Sequence, residues 1–109
     1  MIFVLEDCPF RTEWFHKQGG LVWRDPWLFL EQLTDNQHIV TQIFLDHDLD
    51  WWEFNPYKAE ITGLDVVKGM VLKNIRKDIE IIIHSMNPSG ASAMNDHLMD
   101  NDFTNVKIV

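Results

Sequence analysis

Residues 43–50 read Ile43-Phe44-Leu45-Asp46-His47-Asp48-Leu49-Asp50, an apolar run that ends abruptly in two carboxylates on either side of an imidazole. Such a continuous apolar run is typical of a strand buried on both faces of a parallel sheet. The polar residues that follow it then lie at the carboxyl edge of the sheet, where open α/β sheets bind their ligands. The stretch therefore predicts a fold class and the place of a functional site.

Two other apolar runs end in the same way. Residues 2–5 run into Glu6-Asp7, and residues 79–83 run into His84-Ser85-Met86-Asn87. Because the carboxyl ends of parallel strands share one edge of a sheet, we expect all three strand ends to deliver polar side chains to one place.

Helical segments alternate with these strands along the chain. In order, the predicted elements are strand 2–5, helix 9–17, strand 21–23, helix 26–36, strand 39–45, a helix that opens at Thr62-Gly63, strand 79–83, a helix after the turn at 87–90, and strand 106–109. The alternation predicts an α/β fold with a five-stranded, parallel, doubly wound sheet in the flavodoxin-like order 2-1-3-4-5, shortened at the C-terminus. A length of 109 residues suits one core but not two, so residues 1–109 are predicted to form a single domain.

Composition narrows the class of protein and of ligand. Hydrophobic residues make up 46% of the chain and charged residues 24%, as in ordinary globular proteins. The formal net charge of -8 disfavours an extended nucleic-acid surface, because clustered Lys and Arg hold phosphate backbones, so any nucleotide ligand is expected to be small, metal-bridged or held at one point. The first apolar run is too short for a signal peptide or a membrane span, and we expect a cytoplasmic protein without membrane contact.

The only cysteine, Cys8, excludes an internal disulfide and fits a reducing compartment. Neighbouring carboxylates are expected to raise the pKa of its thiol, so we interpret Cys8 as a packing residue.

Three carboxylates are predicted to face the crevice between strands one and three. Glu6, Asp7 and Asp46 offer hard oxygen ligands of the kind that Mg²⁺, Mn²⁺ or Ca²⁺ prefers, and Mg²⁺ or Mn²⁺ is the expected ion. Packing three carboxylates together is unfavourable unless a cation or a proton shares the site. The alternative is that some of them cap helices or face solvent.

Two histidines lie at strand ends. His47 stands between Asp46 and Asp48, which would orient and tune it, and His84 precedes Ser85. An imidazole beside a carboxylate suits general acid/base catalysis near neutral pH. A single histidine is more often a packing residue, but two at converging strand ends favour a catalytic pair, with one as base and the other as acid.

The turn after the fourth strand is a candidate phosphate site. Backbone N–H groups around Gly90, the positive end of the following helix, and the side chains of Ser85 and Asn87 could hold an anion. Arg11 could bind an oxyanion bidentately or could form a surface salt bridge. An ordinary helix cap accounts for the turn equally well.

Four aromatic residues follow the Asp-His-Asp cluster. Trp51, Trp52, Phe54 and Tyr57 belong to a predicted loop over residues 50–61. Exposed rings there could stack on a nucleobase, with Trp51 as the predicted contact, or could form a small satellite core.

The chain resembles the cyclic-phosphate-processing receiver-like domains, in order and along nearly its whole length. The resemblance is carried by Leu5-Glu6-Asp7 with Arg11 and Trp14-Phe15, by Phe44 to Leu49, by Thr62 to Val67, and by His84 to Pro88 with Gly90 and Met94. It implies a receiver-type fold whose active-site positions are Glu6, Asp7, Arg11, Asp46, His47, Asp48, Thr62, Gly63, His84, Ser85 and Asn87. Asp50, Ser89 and Ala93 differ from the family pattern, and these differences bear on the substrate more than on the catalytic core.

The resemblance implies a phosphoesterase that processes cyclic phosphates of nucleotides or RNA ends, such as 2',3'-cyclic phosphates, in RNA repair or nucleotide-based conflict and defence. The alternative is a non-catalytic receiver-like module that sequesters a cyclic nucleotide or docks a protein partner. Phosphorelay through Asp46 is a weaker option, because Lys107 is the only candidate for the receiver lysine.

Overall fold

The structure is a computed structural model that describes residues 1–49 and 61–109. Within these ranges the chain forms five strands, four α-helices and one short 3₁₀ helix. In order they are β1 (Ile2–Leu5), α1 (Pro9–Lys17), β2 (Gly20–Trp23), α2 (Pro26–Asn36), the 3₁₀ helix (Gln37–Ile39), β3 (Gln42–Leu45), α3 (Gly63–Leu72), β4 (Glu80–Ile83), α4 (Pro88–Asp100) and β5 (Val106–Ile108).

All strand pairs are parallel, and the strand order is β2-β1-β3-β4-β5, which confirms the predicted topology. At the carboxyl edge, Leu45 of β3 is the register partner of Leu5 in β1 and of Ile83 in β4. The three central strands therefore end at the same level. The residues that follow them begin side by side.

The third strand is shorter than predicted. Residues 39–41 do not belong to it, because the chain first makes the 3₁₀ helix, in which the Val40 N–H donates to Gln37 O at 3.3 Å. Val40 is nevertheless fully buried. Its apolar character therefore reflects packing in the core and not strand pairing.

Alternate residues of the central strands face opposite sides of the sheet. Ile43 and Leu45 belong to the main core, together with buried residues of α2, α3 and α4. Phe44 points to the other side, where Phe15 of α1 packs against it with ring centroids 4.9 Å apart. No helix in the described part of the chain is long and apolar enough to cross a membrane.

Candidate functional site

Glu6 and Asp7 follow β1, and Asp46 follows β3. Pairing continues one step beyond the strands, since Glu6 N donates to Trp23 O at 3.1 Å and Asp46 N donates to Leu5 O at 3.3 Å. One carboxylate oxygen from each of Glu6, Asp7 and Asp46 lies within 4.8 Å of the other two. We call these three residues the acidic cluster; the strand order brings them together.

Glu6 is 1% exposed, and its two oxygens have different surroundings. Oε1 accepts hydrogen bonds from the backbone N–H groups of Asp7 at 3.1 Å and Cys8 at 3.0 Å. Oε2 lies 3.8 Å from Arg11 Nε and 3.4 Å from His84 Nδ1, and no residue in the described ranges forms a hydrogen bond with it. Burial raises the pKa of Glu6, and the two backbone N–H groups and Arg11 oppose that rise.

Asp46 is also buried, at 4% exposure. Its Oδ1 accepts a hydrogen bond from the His47 N–H at 2.8 Å. Burial and then the negative charge of Glu6 raise the pKa of Asp46 to about 7. Asp46 therefore keeps its proton to a higher pH than an exposed aspartate does, unless another positive charge lies beside it.

The acidic cluster fits a divalent cation. It offers hard carboxylate oxygens at short mutual distances, and Glu6 Oε2 is a buried oxygen for which the described residues provide no hydrogen bond. The positive charge of a bound cation would also offset the negative charge of Glu6, which is one cause of the raised pKa of Asp46. Glu6, Asp7 and Asp46 are thus the residues that could hold Mg²⁺ or Mn²⁺.

Arg11 extends from the first turn of α1 toward the acidic cluster. Hydrogen bonds from its backbone and side chain lower the pKa of the Cys8 thiol. The expected rise from neighbouring carboxylates is therefore wrong. The reason is that the first turn of α1 places the backbone N–H and the side chain of Arg11 as hydrogen-bond donors to the Cys8 sulfur, which the spacing of acidic residues alone did not indicate.

His47 and Asp48 form an imidazole–carboxylate pair. His47 Nδ1 lies 2.7 Å from Asp48 Oδ1, and Asn87 Nδ2 donates to the same oxygen at 3.3 Å. The hydrogen bond from His47 lowers the pKa of Asp48, so this carboxylate is ionised and can only accept. Nδ1 therefore carries the hydrogen when His47 is neutral, and Nε2 is left as the proton acceptor.

The turn into α4 supports this pair. Asn87 Oδ1 accepts hydrogen bonds from the Gly90 N–H and the Ser89 hydroxyl, both at 3.0 Å, while Asn87 O accepts from the Ala91 N–H at 2.9 Å. The helix cap thus uses the N–H groups of Gly90 and Ala91, as the alternative interpretation of this turn expected, and phosphate binding at the turn stays a prediction. A Cβ at Gly90 would lie 2.5 Å from His47 Cγ, so glycine leaves room for the imidazole.

Three further predicted residues have structural partners. Thr62 is the N-cap of α3, and its N–H donates to Asp65 Oδ2 at 2.9 Å. Ser85 Oγ accepts from the Asn87 N–H at 3.1 Å. The Gly63 N–H donates to His47 O at 2.8 Å, and a side chain at Gly63 would overlap the Asp46 carbonyl oxygen. Substrate contact by these residues stays a prediction.

His84 lies in a different environment from His47. Its ring packs against Phe15 and Phe44, with centroid distances of 5.2 and 6.0 Å, and its buried Nε2 has no hydrogen-bond partner among the described residues. Burial and then the charge of Arg11 lower the pKa of His84 to about 4. It is neutral at pH 7, which argues against the prediction that the two histidines form an acid/base pair.

Two of the cavities that open beside these residues are lined in part by Arg11. The acidic cavity has a volume of about 320 Å³ and is lined by Asp7, Cys8, Pro9, Arg11, Asp46, Asp48 and Met86. The aromatic cavity has a volume of about 330 Å³, and its lining includes Arg11, Trp14, Phe15, Phe44, His84 and Met86. Arg11 and Met86 therefore line both.

The aromatic cavity was not among the sites predicted from the sequence. One signal could have found it: Phe44 is two positions before Asp46, so the alternation of a strand places both on one side of the sheet. Trp51, the aromatic contact that was predicted, lies outside the described residues, as do Asp50 and the other aromatic residues of that loop.

Comparison with known proteins adds one finding. A family model described as the cyclic-phosphate processing receiver domain matches residues 4–100. The matched range contains the acidic cluster, the His47–Asp48 pair and the turn from His84 to Gly90. None of the curated proteins with which the chain was compared matches it.

Proposed function

Because the chain belongs to the family of cyclic-phosphate processing receiver domains, we propose that it is a phosphoesterase that opens the cyclic phosphodiester of nucleotides or RNA ends, of the 2',3' type. The observation that carries the proposal is the His47–Asp48 pair. The hydrogen bond from Nδ1 to Asp48 leaves Nε2 as the proton acceptor, and Asp48 lines the same cavity as Arg11 and Asp46. RNA repair or nucleotide-based defence in the cytoplasm is the proposed setting.

In the proposed reaction, water attacks the phosphorus atom and one bond between phosphorus and a ribose oxygen breaks. His47 Nε2 accepts the proton of the water, and His47 then returns that proton to the released ribose oxygen. The product is a phosphomonoester. The same imidazole accepts one proton and releases one proton, so His47 returns to its starting state. Asp48 keeps the ring in its tautomer and stabilises the imidazolium that forms between the two transfers.

Arg11 is proposed to hold the phosphate. Arg11 lines the acidic cavity and its side chain is half-exposed. Its guanidinium is therefore accessible to a phosphate oxygen from the cavity. Asn87 donates to Asp48 and supports His47 from the α4 turn. We assign to His84 a positioning role, because its Nδ1 lies 3.4 Å from Glu6 Oε2 and its own pKa is too low for proton transfer near pH 7.

Glu6, Asp7 and Asp46 would hold the proposed divalent cation, Mg²⁺ or Mn²⁺. A bound cation of this kind polarises phosphoryl oxygens as a Lewis acid. The carboxylates themselves then need no shared proton, because the positive charge replaces it.

The test is a turnover assay on 2',3'-cyclic nucleotides and on oligonucleotides with a cyclic phosphate end. Wild type, His47→Ala and the matched control His38→Ala are compared with Mg²⁺, with Mn²⁺ and with EDTA. His38 is an exposed histidine of the 3₁₀ helix. We expect monoester product that falls at least about 100-fold in His47→Ala, the size of a general-base contribution, and that is unchanged in His38→Ala.

A different result would favour the non-catalytic alternative. A module that sequesters a cyclic nucleotide or docks a protein partner binds its ligand stoichiometrically and returns it unchanged. Binding of a cyclic nucleotide without any monoester product, under all three metal conditions, would contradict the phosphoesterase.

A further inference from the structure

The aromatic cavity has a continuous wall of rings. Trp14 and Phe15 of α1 contact each other edge to face at 5.0 Å between centroids, and Phe15 contacts Phe44 at 4.9 Å and His84 at 5.2 Å. Phe15 is buried, whereas Trp14 is 55% exposed. A large ring at the cavity wall is therefore available to a ligand.

The aromatic cavity adjoins the proposed phosphate site through Arg11. Residues three and four positions apart share one face of a helix, so Arg11, Trp14 and Phe15 project from α1 in the same general direction. Arg11 lines both cavities and lies 3.8 Å from the acidic cluster at Glu6. Met86, which is highly exposed, is the other residue shared by the two cavities. One molecule can therefore contact the guanidinium and the rings together.

We propose that the aromatic cavity binds the nucleobase of the cyclic phosphate, so that the substrate is a nucleotide recognised by base stacking and not a cyclic sugar phosphate alone. This inference rests on the proposed function. A nucleobase is a planar π system, and stacking on aromatic side chains accepts any base because every base has a π face. The net charge of -8 agrees with a mononucleotide or a single RNA end as the ligand, because a longer strand needs a basic track.

The test compares two substrates that differ only in the base. They are adenosine 2',3'-cyclic phosphate and methyl riboside 2',3'-cyclic phosphate, each assayed with wild type, Trp14→Ala, Trp14→Phe and the control Trp27→Ala. Trp27 is a half-exposed tryptophan of α2 that lines neither cavity. We expect Trp14→Ala to raise KM for the nucleotide about tenfold with little change in kcat, as loss of one stacking ring does. Trp14→Phe should restore most of the affinity, and Trp27→Ala should change nothing.

The outcomes separate this inference from the proposed function. Equal KM values for the two substrates, with no effect of Trp14→Ala, would overturn the base site and leave the phosphoesterase standing. If neither substrate is turned over, calorimetry with adenosine 2',3'-cyclic phosphate decides. Binding that Trp14→Ala weakens would then support the base site and contradict the phosphoesterase, and no binding at all would contradict both.

Discussion

Gly90 has no side chain, and this leaves the space that the His47 imidazole occupies. A Cβ there would lie 2.5 Å from His47 Cγ, and the imidazole cannot easily move away because Asp48 holds its Nδ1. At Gly69 in α3, a Cβ would lie equally close, at 2.5 Å, to Leu30 Cδ2, which is the end of a flexible side chain. The two glycines therefore form a matched pair.

We expect Gly90→Ala to destabilise the fold by about 1–3 kcal/mol, as overpacking does. It should also shift the His47 imidazole resonances in NMR spectra. Gly69→Ala should change stability by less than about 1 kcal/mol, because the helix propensity of alanine offsets the movement of Leu30. Urea unfolding measures both. If both substitutions lower the free energy of unfolding equally, the position of the His47 ring does not require a glycine at residue 90.

For single residues, the sequence predicted which side chains lie close together better than it predicted their burial and their contacts. Glu6 and Asp46 could be placed together because strand order alone brings them side by side. The burial of His84 could not be predicted, since it depends on the rings of Phe15 and Phe44, which only the folded sheet brings to it. Likewise, nothing in the glycine pattern around Gly90 indicates that an imidazole occupies the space.

Among the secondary-structure elements, the 3₁₀ helix is held by a residue that is distant in the sequence. Arg76, which precedes β4, donates from its backbone N–H to Gln37 Oε1 at 2.7 Å. Its guanidinium donates to Gln37 O at 3.0 Å and to Val40 O at 3.1 Å. One of these bonds occupies the carbonyl group of Val40, which belongs to the segment that the sequence predicted as the start of the third strand. A contact so distant in sequence explains why residues 39–41 were assigned wrongly, whereas the bounds of α1, fixed by local signals, were predicted correctly.

Arg76→Ala should therefore lower the free energy of unfolding by about 2 kcal/mol, since two carbonyls lose a charged donor. Arg76→Lys should recover little of this, because an ammonium group lacks the planar fork that reaches both carbonyls. Lys17→Ala, which removes an exposed ion pair with Glu13, is the control and should cost less than about 0.5 kcal/mol. Urea unfolding tests the set, and similar losses for Arg76→Ala and Lys17→Ala would refute the structural role of Arg76.

Across the whole molecule, the carboxyl edge of the sheet concentrates groups whose pKa values move in opposite directions. His84 is neutral and largely buried beside Glu6, while Asp46 is buried among carboxylates. The fold therefore couples its own stability to pH at the place where we propose the chemistry. The two contributions have opposite signs, and they fall in overlapping ranges of pH.

For His84, the pKa falls from 6.5 to about 4 on folding, so below pH 6.5 the unfolded chain binds a proton that the folded chain does not, and stability is lost as pH falls. For Asp46, the pKa rises from 3.8 to about 7, so the folded chain holds a proton that the unfolded chain releases, and stability is lost as pH rises toward 7. In EDTA, the contribution of His84 should oppose that of Asp46 in the wild type, and Glu6, whose pKa is also raised, should add to the slope of Asp46. Single substitutions should then expose them.

Asp46→Asn should gain stability relative to the wild type as pH rises from 4 to 8, by about 2 kcal/mol at the upper end. His84→Gln loses ring packing at every pH, but its deficit relative to the wild type should shrink as pH falls from 6.5 to 4. Urea unfolding in EDTA at intervals of pH gives both curves. Added Mg²⁺ should stabilise the wild type above pH 7 and have little effect on Asp46→Asn, because the variant lacks one of the three carboxylates. Curves that run parallel to the wild type for both variants would show that neither group titrates as its surroundings require, and the proton held in the acidic cluster would have to be assigned elsewhere.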